Sequence, residues 1–183
     1  MLNNAGTMPL AFYADHANAR EAWERCIDIN IKGVLYGMLA VHDTMIAQGR
    51  GHVINVSSIY GNYPVVGAGV YGATKAALNL LSEGLRSELT GTNVHLTVIY
   101  PGAIGTNIAA NSGLDMSGAA EASTRKVVAP KNAGAAIVRA ITKDEKRILI
   151  GQDASIMWHA NHLSPDLAAT LIYHGMKDLL PPA

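Results

Sequence analysis

The sequence contains a single cysteine, Cys26, among its 183 residues. One cysteine cannot form an intrachain disulfide, and the helical pattern around Cys26 favours a buried, inert thiol over a nucleophile. The sequence also lacks a charged-then-apolar signal pattern and any continuous apolar run of about 18 residues, the length that a membrane span needs. These features predict a cytoplasmic protein without a membrane span.

An excess of charge of either sign is also missing, because 14 Lys and Arg residues balance 14 Asp and Glu residues. Without a run of Lys and Arg, the chain has no electrostatic feature that attracts nucleic acid or an anionic membrane. The seven histidines show no metal-ligand spacing with Cys or acidic residues nearby, so we expect no metal site. The expected partners are therefore small neutral molecules.

Helix and strand patterns alternate along the chain. Short β-branched runs predict strands at 52–56, 94–99 and 147–151, after a first strand that ends at Leu2. Apolar residues at helical spacing predict helices at about 18–47, 71–90, 131–142 and 155–176, the last interrupted near Pro165. This alternation predicts an α/β fold with a parallel sheet. No repeat or second domain is visible, so residues 1–183 are expected to form a single domain.

Tyr71 and Lys75 stand four positions apart in a predicted helix, so their side chains lie on the same face. A cation beside a phenol stabilises the phenolate, and we expect Lys75 to lower the Tyr71 pKa from its ordinary value of roughly 10. A phenol tuned in this way can act as a general acid and base. Alone, however, this spacing would be a chance helix spacing in most of the proteins that contain it.

Polar and turn residues follow three of the predicted strands. Ser58 follows the strand at 52–56, Pro101-Gly102 follows the strand at 94–99, and Asn4-Ala5-Gly6 follows the first strand. In an open parallel sheet, ligands bind outside the carboxyl ends of the strands. These separate positions are therefore expected to converge on one crevice.

Five motifs occur together in an order and spacing that resemble the short-chain dehydrogenase/reductase family. They are Asn3-Asn4-Ala5-Gly6, Asn30-Ile31-Lys32-Gly33-Val34, Asn55-Val56-Ser57-Ser58, the Tyr71 and Lys75 pair, and Pro101-Gly102-Ala103-Ile104-Gly105-Thr106. The resemblance runs from Met1 to about Ile150. It implies a Rossmann-like doubly wound parallel sheet and an NAD(P)-dependent oxidoreductase that acts on an alcohol/ketone pair.

The resemblance also assigns roles to individual residues. Tyr71 would exchange a proton with the substrate oxygen, Lys75 would lower the Tyr71 pKa and bind the nicotinamide ribose, and Ser58 would hydrogen-bond the substrate oxygen. Asn30 would hold a water that links Lys75 to solvent; the alternative is a polar residue that repairs a helix kink. Ser57 is the neighbouring alternative to Ser58.

For the cofactor, the resemblance places Asn4 near the adenosine side, and Ile104 and Thr106 near the nicotinamide amide and the phosphates. Pro101 and Gly102 would shape the turn between them. The family's glycine-rich cofactor turn does not precede Asn3, so we expect an incomplete domain that lacks the first strand-helix units, on the order of 90 residues. The choice between NAD and NADP is left open, because the discriminating side chains belong to that segment.

Three further expectations concern the substrate and assembly. Residues 104–128 are expected to form a substrate lid. Apolar loop residues predict an apolar alcohol or carbonyl substrate; they are Ile59, Tyr60, Tyr63, Val65 and Val66. Relatives pair through two long helices, so a homo-oligomer through residues of about 18–47 and 71–90 is expected.

A non-catalytic alternative remains at this point. A chain without the phosphate-binding turn could persist as a truncated remnant that acts as a dimerising or binding module. The exposed strand edge and uncovered helix faces of such a chain predict oligomerisation or poor solubility. The intact Asn30, Ser58, Tyr71 and Lys75 favour the enzyme.

Overall fold

One parallel sheet organises the part of the chain that the structure, a computed structural model, describes: residues 1–108, 111 and 127–176. Its four strands there lie in the order β1-β2-β3-β4. The strands are β1 (Leu2–Asn3), β2 (Gly51–Val56), β3 (Val94–Pro101) and β4 (Arg147–Ile150). The register places Ile54 of β2 between Leu2 and Thr97. The predicted strands and their parallel pairing are confirmed.

Helices connect the strands as the apolar spacing predicted. They are α1 (His16–Ile27), α2 (Val34–Ala47), α3 (Gly69–Glu88), α4 (Pro130–Thr142), α5 (Gln152–Leu163) and α6 (Pro165–Met176). Short 3₁₀ turns occupy Tyr13–Asp15 and Ile59–Gly61. The predicted break near Pro165 is confirmed by the end of α5 at Leu163 and the start of α6 at Pro165. Proline interrupts a helix because it lacks the backbone N–H that a continuous helix needs. Bounds differ from those predicted by up to three residues.

The predicted helix at 18–47 has a different interior from the one expected. Between α1 and α2 the backbone adopts a π-helical segment, Asp28–Gly33, in which Asn30 is fully buried. A π segment inserts an extra residue into a turn and redirects the side chains around it. The regular apolar spacing did not predict this segment.

Both faces of the sheet are covered. Side chains alternate along a strand, so Val53, Leu96 and Val98 face α2 and α3, whereas Ile54 and Ile99 face α4. Each buried aliphatic side chain stabilises the fold by roughly 1.5 to 3 kcal/mol relative to exposure. Burial on both faces confirms the predicted α/β, doubly wound parallel sheet.

The predicted lid at 104–128 lies mostly outside the described residues. Its two described ends meet, because Ile104 and Val128 form a parallel bridge. The Gly105 N–H donates to the Val128 carbonyl at 3.0 Å. Separately, none of the helices in the described part of the chain is long and apolar enough to cross a membrane.

Candidate active site

Ser58, Tyr71 and Lys75 come together at the carboxyl end of β2. Lys75 Nζ donates to the Val56 carbonyl at 2.9 Å and lies 5.8 Å from the centroid of the Tyr71 ring. The Ser58 side chain is close enough to Tyr71 to affect the Tyr71 pKa. All three residues are buried, with at most 7% of their surface exposed. The helical spacing and the strand end therefore bring the predicted side chains to one place.

Local backbone geometry explains this close approach. Ser58 is extended, and its Oγ accepts from the Tyr60 N–H at 3.2 Å, which starts the 3₁₀ turn. A Cβ atom added to Gly61 would lie 2.7 Å from the Lys75 carbonyl carbon, and one added to Gly72 would lie 2.8 Å from the Tyr60 carbonyl oxygen. Both glycines are therefore needed for the 3₁₀ turn to pack directly on α3.

Burial shifts the pKa values of the two ionisable residues in opposite directions. It raises the pKa of Tyr71 to about 12, against the smaller lowering effect of the Ser58 hydrogen bond. It lowers the pKa of Lys75 from 10.5 to about 8. The expectation that Lys75 brings the Tyr71 pKa below its ordinary value is wrong for this structure, because desolvation of the phenolate is the largest effect on that pKa and raises it. At neutral pH, Tyr71 is a phenol and can donate a proton.

Asn30 in the π segment ties a loop to α3. Its Oδ1 accepts from the Thr7 N–H and its Nδ2 lies 3.0 Å from the Thr7 carbonyl. The same Nδ2 lies 3.1 Å from Thr74 Oγ1, which donates to the Tyr71 carbonyl. These contacts join the π segment to the loop at Thr7 and to α3, and the alternative role of repairing the helix kink stays a prediction. The proposed water link to Lys75 stays a prediction.

Cys26 lies beside this network as a buried thiol. Its Sγ is 3.5 Å from the Thr7 carbonyl, and burial raises the Cys26 pKa. A raised pKa keeps the thiol protonated and unreactive. These properties agree with the interpretation of an inert cysteine.

Two observations test whether the site suits a nucleotide. Within the described residues, Thr7 Oγ1 is buried and has no hydrogen-bond partner. Lys75 Nζ carries three N–H donors, of which one bonds the Val56 carbonyl. A Cβ atom added to Gly6 would stand 3.6 Å from Lys75 Nζ. Buried donors with spare capacity beside a glycine fit a hydroxyl-rich ligand.

The predicted cofactor residues lie at the same edge of the sheet. Asn4 follows β1 and is exposed, while Pro101 ends β3. The Gly102 N–H donates to the Ile150 carbonyl at 2.8 Å, and the Thr106 N–H donates to the Ile104 carbonyl at 2.8 Å. Since β1 and β3 both pair with β2, the turns after β1 and β3 flank the Ser58 turn at the carboxyl edge of the sheet.

A residue that the sequence analysis missed holds one of these turns. Asp153, in the first turn of α5, accepts the Ala103 N–H through Oδ2 at 2.7 Å. The sequence signal was an acidic residue two positions after Gly151, at a predicted strand-to-helix junction.

A cavity of about 750 Å³ lies next to the site. Its described lining is mainly apolar, with three polar side chains: Tyr63, Val65, Val127, Val128, Ala129, Ile156, Met157 and Ile172, then Asn132, Gln152 and Asp153. Neither Ser58 nor Tyr71 belongs to that described lining. The connection runs through Tyr60, whose ring centroid is 6.0 Å from Tyr63 and 6.2 Å from Tyr71. Ile59, one of the predicted substrate residues, is instead buried in the core.

Comparison with known proteins agrees with this geometry. The family model described as short chain dehydrogenase matches residues 1–117. The chain belongs to the short-chain dehydrogenase family. The family interpretation of the sequence motifs is thereby confirmed.

Two curated relatives illustrate the match. An uncharacterized oxidoreductase from Staphylococcus saprophyticus is 38% identical over 149 residues, which are 80% of this chain and 60% of the relative. The NADP-dependent 3-hydroxy acid dehydrogenase YdfG of Escherichia coli is 43% identical over 105 residues, 57% of this chain and 42% of that protein. The chain thus spans about half the length of the curated relatives that it matches.

A solved structure supports the fold. The closed form of serine dehydrogenase complexed with NADP⁺ is similar with a TM-score of 0.70 and 33% sequence identity. The similarity covers 81% of this chain and 62% of that one.

Proposed function

We propose that this chain is an NAD(P)-dependent oxidoreductase that interconverts an alcohol and a ketone, with Tyr71 as the general acid and base. The observation that carries the proposal is the burial of Ser58, Tyr71 and Lys75 together at the carboxyl end of β2. A general acid must reach the reacting oxygen and hold its proton at working pH. The Tyr71 pKa of about 12 meets the second condition.

Each of the three side chains has a different role in the reaction at the substrate oxygen. Bound nicotinamide supplies or accepts the hydride. Tyr71 donates its phenolic proton to a carbonyl oxygen as negative charge develops there, and Ser58 donates a second hydrogen bond to that oxygen. The Lys75 ammonium stabilises the phenolate that remains on Tyr71. At pH 7 the Tyr71 phenol is neutral, which is the protonation state that carbonyl reduction requires.

The residues that would hold the cofactor surround this centre. Lys75 has spare N–H donors for the ribose hydroxyls, and the remaining positions come from the turns at the carboxyl edge: Asn4, Pro101, Gly102, Ile104 and Thr106. Tyr71 would contact both nicotinamide and substrate. The names of YdfG and of the serine dehydrogenase complex specify NADP, so NADPH is the first nucleotide to test.

The substrate is proposed to be an apolar alcohol or carbonyl compound. The apolar lining of the neighbouring cavity, with Tyr63, Val65 and Met157, supports this class. Residues 104–128 are proposed to act as a lid over it.

A single domain, homo-oligomeric assembly and a cytoplasmic location are part of the same proposal. Exposed apolar side chains on the two long helical regions support assembly: Tyr36 is 62% exposed, Leu39 63% and Leu80 77%. These side chains would lose that exposure in an oligomer built through α2 and α3.

Nucleotide binding tests the proposal directly. We expect NADPH or NADH to give a saturable change in nicotinamide fluorescence with the wild-type chain. Lys75→Met should weaken binding about tenfold or more, because hydrogen bonds to a charged group are lost. Lys131→Met, on the exposed first turn of α4, is the matched control and should bind as the wild type does.

Failure of the folded wild-type chain to bind either nucleotide would contradict the proposal. It would also revive the alternative of a non-catalytic binding module, which the comparisons do not favour. Equal binding by Lys75→Met and wild type would remove Lys75 from the cofactor site while leaving the enzyme class open.

A further inference from the structure

The turn that follows β3 is attached to the start of α5 by one carboxylate. Asp153 Oδ2 accepts the Ala103 N–H at 2.7 Å, across 50 positions of sequence. On either side of this bond, the Gly102 N–H donates to the Ile150 carbonyl and the Val128 N–H donates to the Ala103 carbonyl, both at 2.8 Å. Three consecutive hydrogen bonds therefore hold the turn, and the Asp153 bond is the one among them that a side chain makes.

Two glycines make room for that carboxylate. A Cβ atom added to Gly102 would overlap both Asp153 carboxylate oxygens, and one added to Gly151 would overlap Asp153 Oδ1. Gly151 also has φ +110°, a conformation that side chains disfavour. The backbone at the ends of β3 and β4 is thus shaped around the Asp153 carboxylate.

A helix-capping role alone does not account for this arrangement. A carboxylate in a first turn is favoured by the helix dipole, and Asp166 in α6 is such a residue. Asp166 is exposed. The Asp153 carboxylate, in contrast, bonds the backbone of the turn after β3.

We propose that Asp153 is a positioning residue for the cofactor: its carboxylate fixes the Pro101–Ile104 turn in the geometry that receives the nicotinamide. This inference rests on the proposed function, because it assumes that the turn contacts a nucleotide. A binding turn that is held in place before the ligand arrives loses less entropy on binding, so removing its anchor weakens affinity. Asp153 also lines the neighbouring cavity, which places it between the cofactor turn and the substrate space.

The test compares Asp153→Ala, Asp153→Asn and the control Asp166→Ala with the wild type. We expect Asp153→Ala to raise the NADPH Kd about tenfold or more and to speed hydrogen exchange at the Ala103 amide. Asp153→Asn keeps an oxygen that can accept the Ala103 N–H, so it should recover most of the affinity and protection. Asp166→Ala should change the Kd by less than about twofold, since it removes the same kind of first-turn acid.

The two measurements separate the possible failures. Unchanged affinity and unchanged Ala103 exchange in a folded Asp153→Ala protein would overturn the inference. Faster exchange with unchanged affinity would show that Asp153 holds the turn but that the turn does not govern the cofactor, which also overturns it. If the wild type binds no nucleotide, the proposed function fails and the cofactor role fails with it, whereas Ala103 exchange still reports whether Asp153 anchors the turn.

Discussion

Two clusters of buried polar side chains are built around β2, and they differ in whether their members ionise. In the first, which we call the core cluster, Asn3 Nδ2 donates to Asn55 Oδ1 at 2.8 Å, and Asn55 Nδ2 donates to Ser82 Oγ at 2.9 Å. The site cluster consists of Ser58, Tyr71 and Lys75. All six side chains are buried.

The two clusters differ in how burial affects their side chains. Amides and hydroxyls keep their neutral form when buried, so hydrogen bonds suffice to satisfy the core cluster. Tyr71 and Lys75 can ionise. Burial raises the pKa of Tyr71 and lowers the pKa of Lys75, and both shifts favour the neutral form. Desolvation is the largest cause of both shifts, so burying these two groups costs stability whenever they are charged. Substitutions in the two clusters should therefore affect different measurements.

The largest effect is expected from Tyr71→Phe, which removes the proton donor and keeps the ring. Turnover of an apolar ketone, followed by NADPH absorbance, should fall roughly 10²-fold to 10⁴-fold, the usual contribution of a general acid. Nucleotide binding and stability should change little. Tyr13→Phe, in the exposed 3₁₀ turn before α1, should keep full turnover. A folded Tyr71→Phe variant that retains more than about a tenth of wild-type turnover would assign the proton to another group.

The core cluster should respond in the opposite way. Asn55→Ala leaves Asn3 and Ser82 without their shared partner, so we expect the free energy of unfolding to fall by about 2 to 4 kcal/mol. Urea denaturation measures it. Asn93→Ala is the control, because Asn93 is exposed and bonds the Gly49 carbonyl; its effect should stay below about 1 kcal/mol. A mild Asn55→Ala effect would show that water replaces the lost amide.

The sequence predicted which residues form the site cluster, but it did not predict the direction in which burial shifts the Tyr71 pKa. Helix periodicity is enough to place Tyr71 and Lys75 on one face, and a proline is enough to break the last helix. The direction of the Tyr71 shift was missed because the i, i+4 spacing reports proximity and carries no information about burial. The π segment and the Asp153 anchor were missed for a related reason. Both depend on partners distant in sequence: Thr7 for Asn30, and Ala103 for Asp153.

The Lys75 pKa predicts an unusual pH dependence of stability. Between its folded pKa of about 8 and its ordinary value of 10.5, the unfolded chain binds the proton that the folded chain has released. Stability should therefore rise with pH through this window, by up to about 3 kcal/mol, and the same amount is lost as pH falls from 10.5 to about 8. The raised Tyr71 pKa has the opposite effect: between pH 10 and about 12 it should make stability fall as pH rises.

Urea denaturation at pH 7, 8, 9 and 10 separates the lysine from the tyrosine, whose window begins where this range ends. The rise should disappear in Lys75→Met and persist in Lys131→Met. A wild-type stability that stays flat or falls from pH 8 to pH 10 would mean that Lys75 keeps its charge when folded. The stability contribution of the site cluster, like that of the core cluster, would then not increase with pH.

The smallest expected effect is that of Ser57→Ala. It should distinguish a structural role for Ser57 from a chemical role for Ser58. Ser57 Oγ lies 3.3 Å from the Lys75 carbonyl and also within hydrogen-bond distance of Asn79 Oδ1, so it joins β2 to α3 away from Tyr71. Ser57→Ala should lower the free energy of unfolding by about 1 kcal/mol and leave turnover nearly unchanged. Ser58→Ala should reduce turnover instead, because it removes the donor beside Tyr71. If Ser57→Ala impaired turnover at wild-type stability, the hydroxyl at the reacting oxygen would be that of Ser57, and the chemical role would belong to the residue directly after β2.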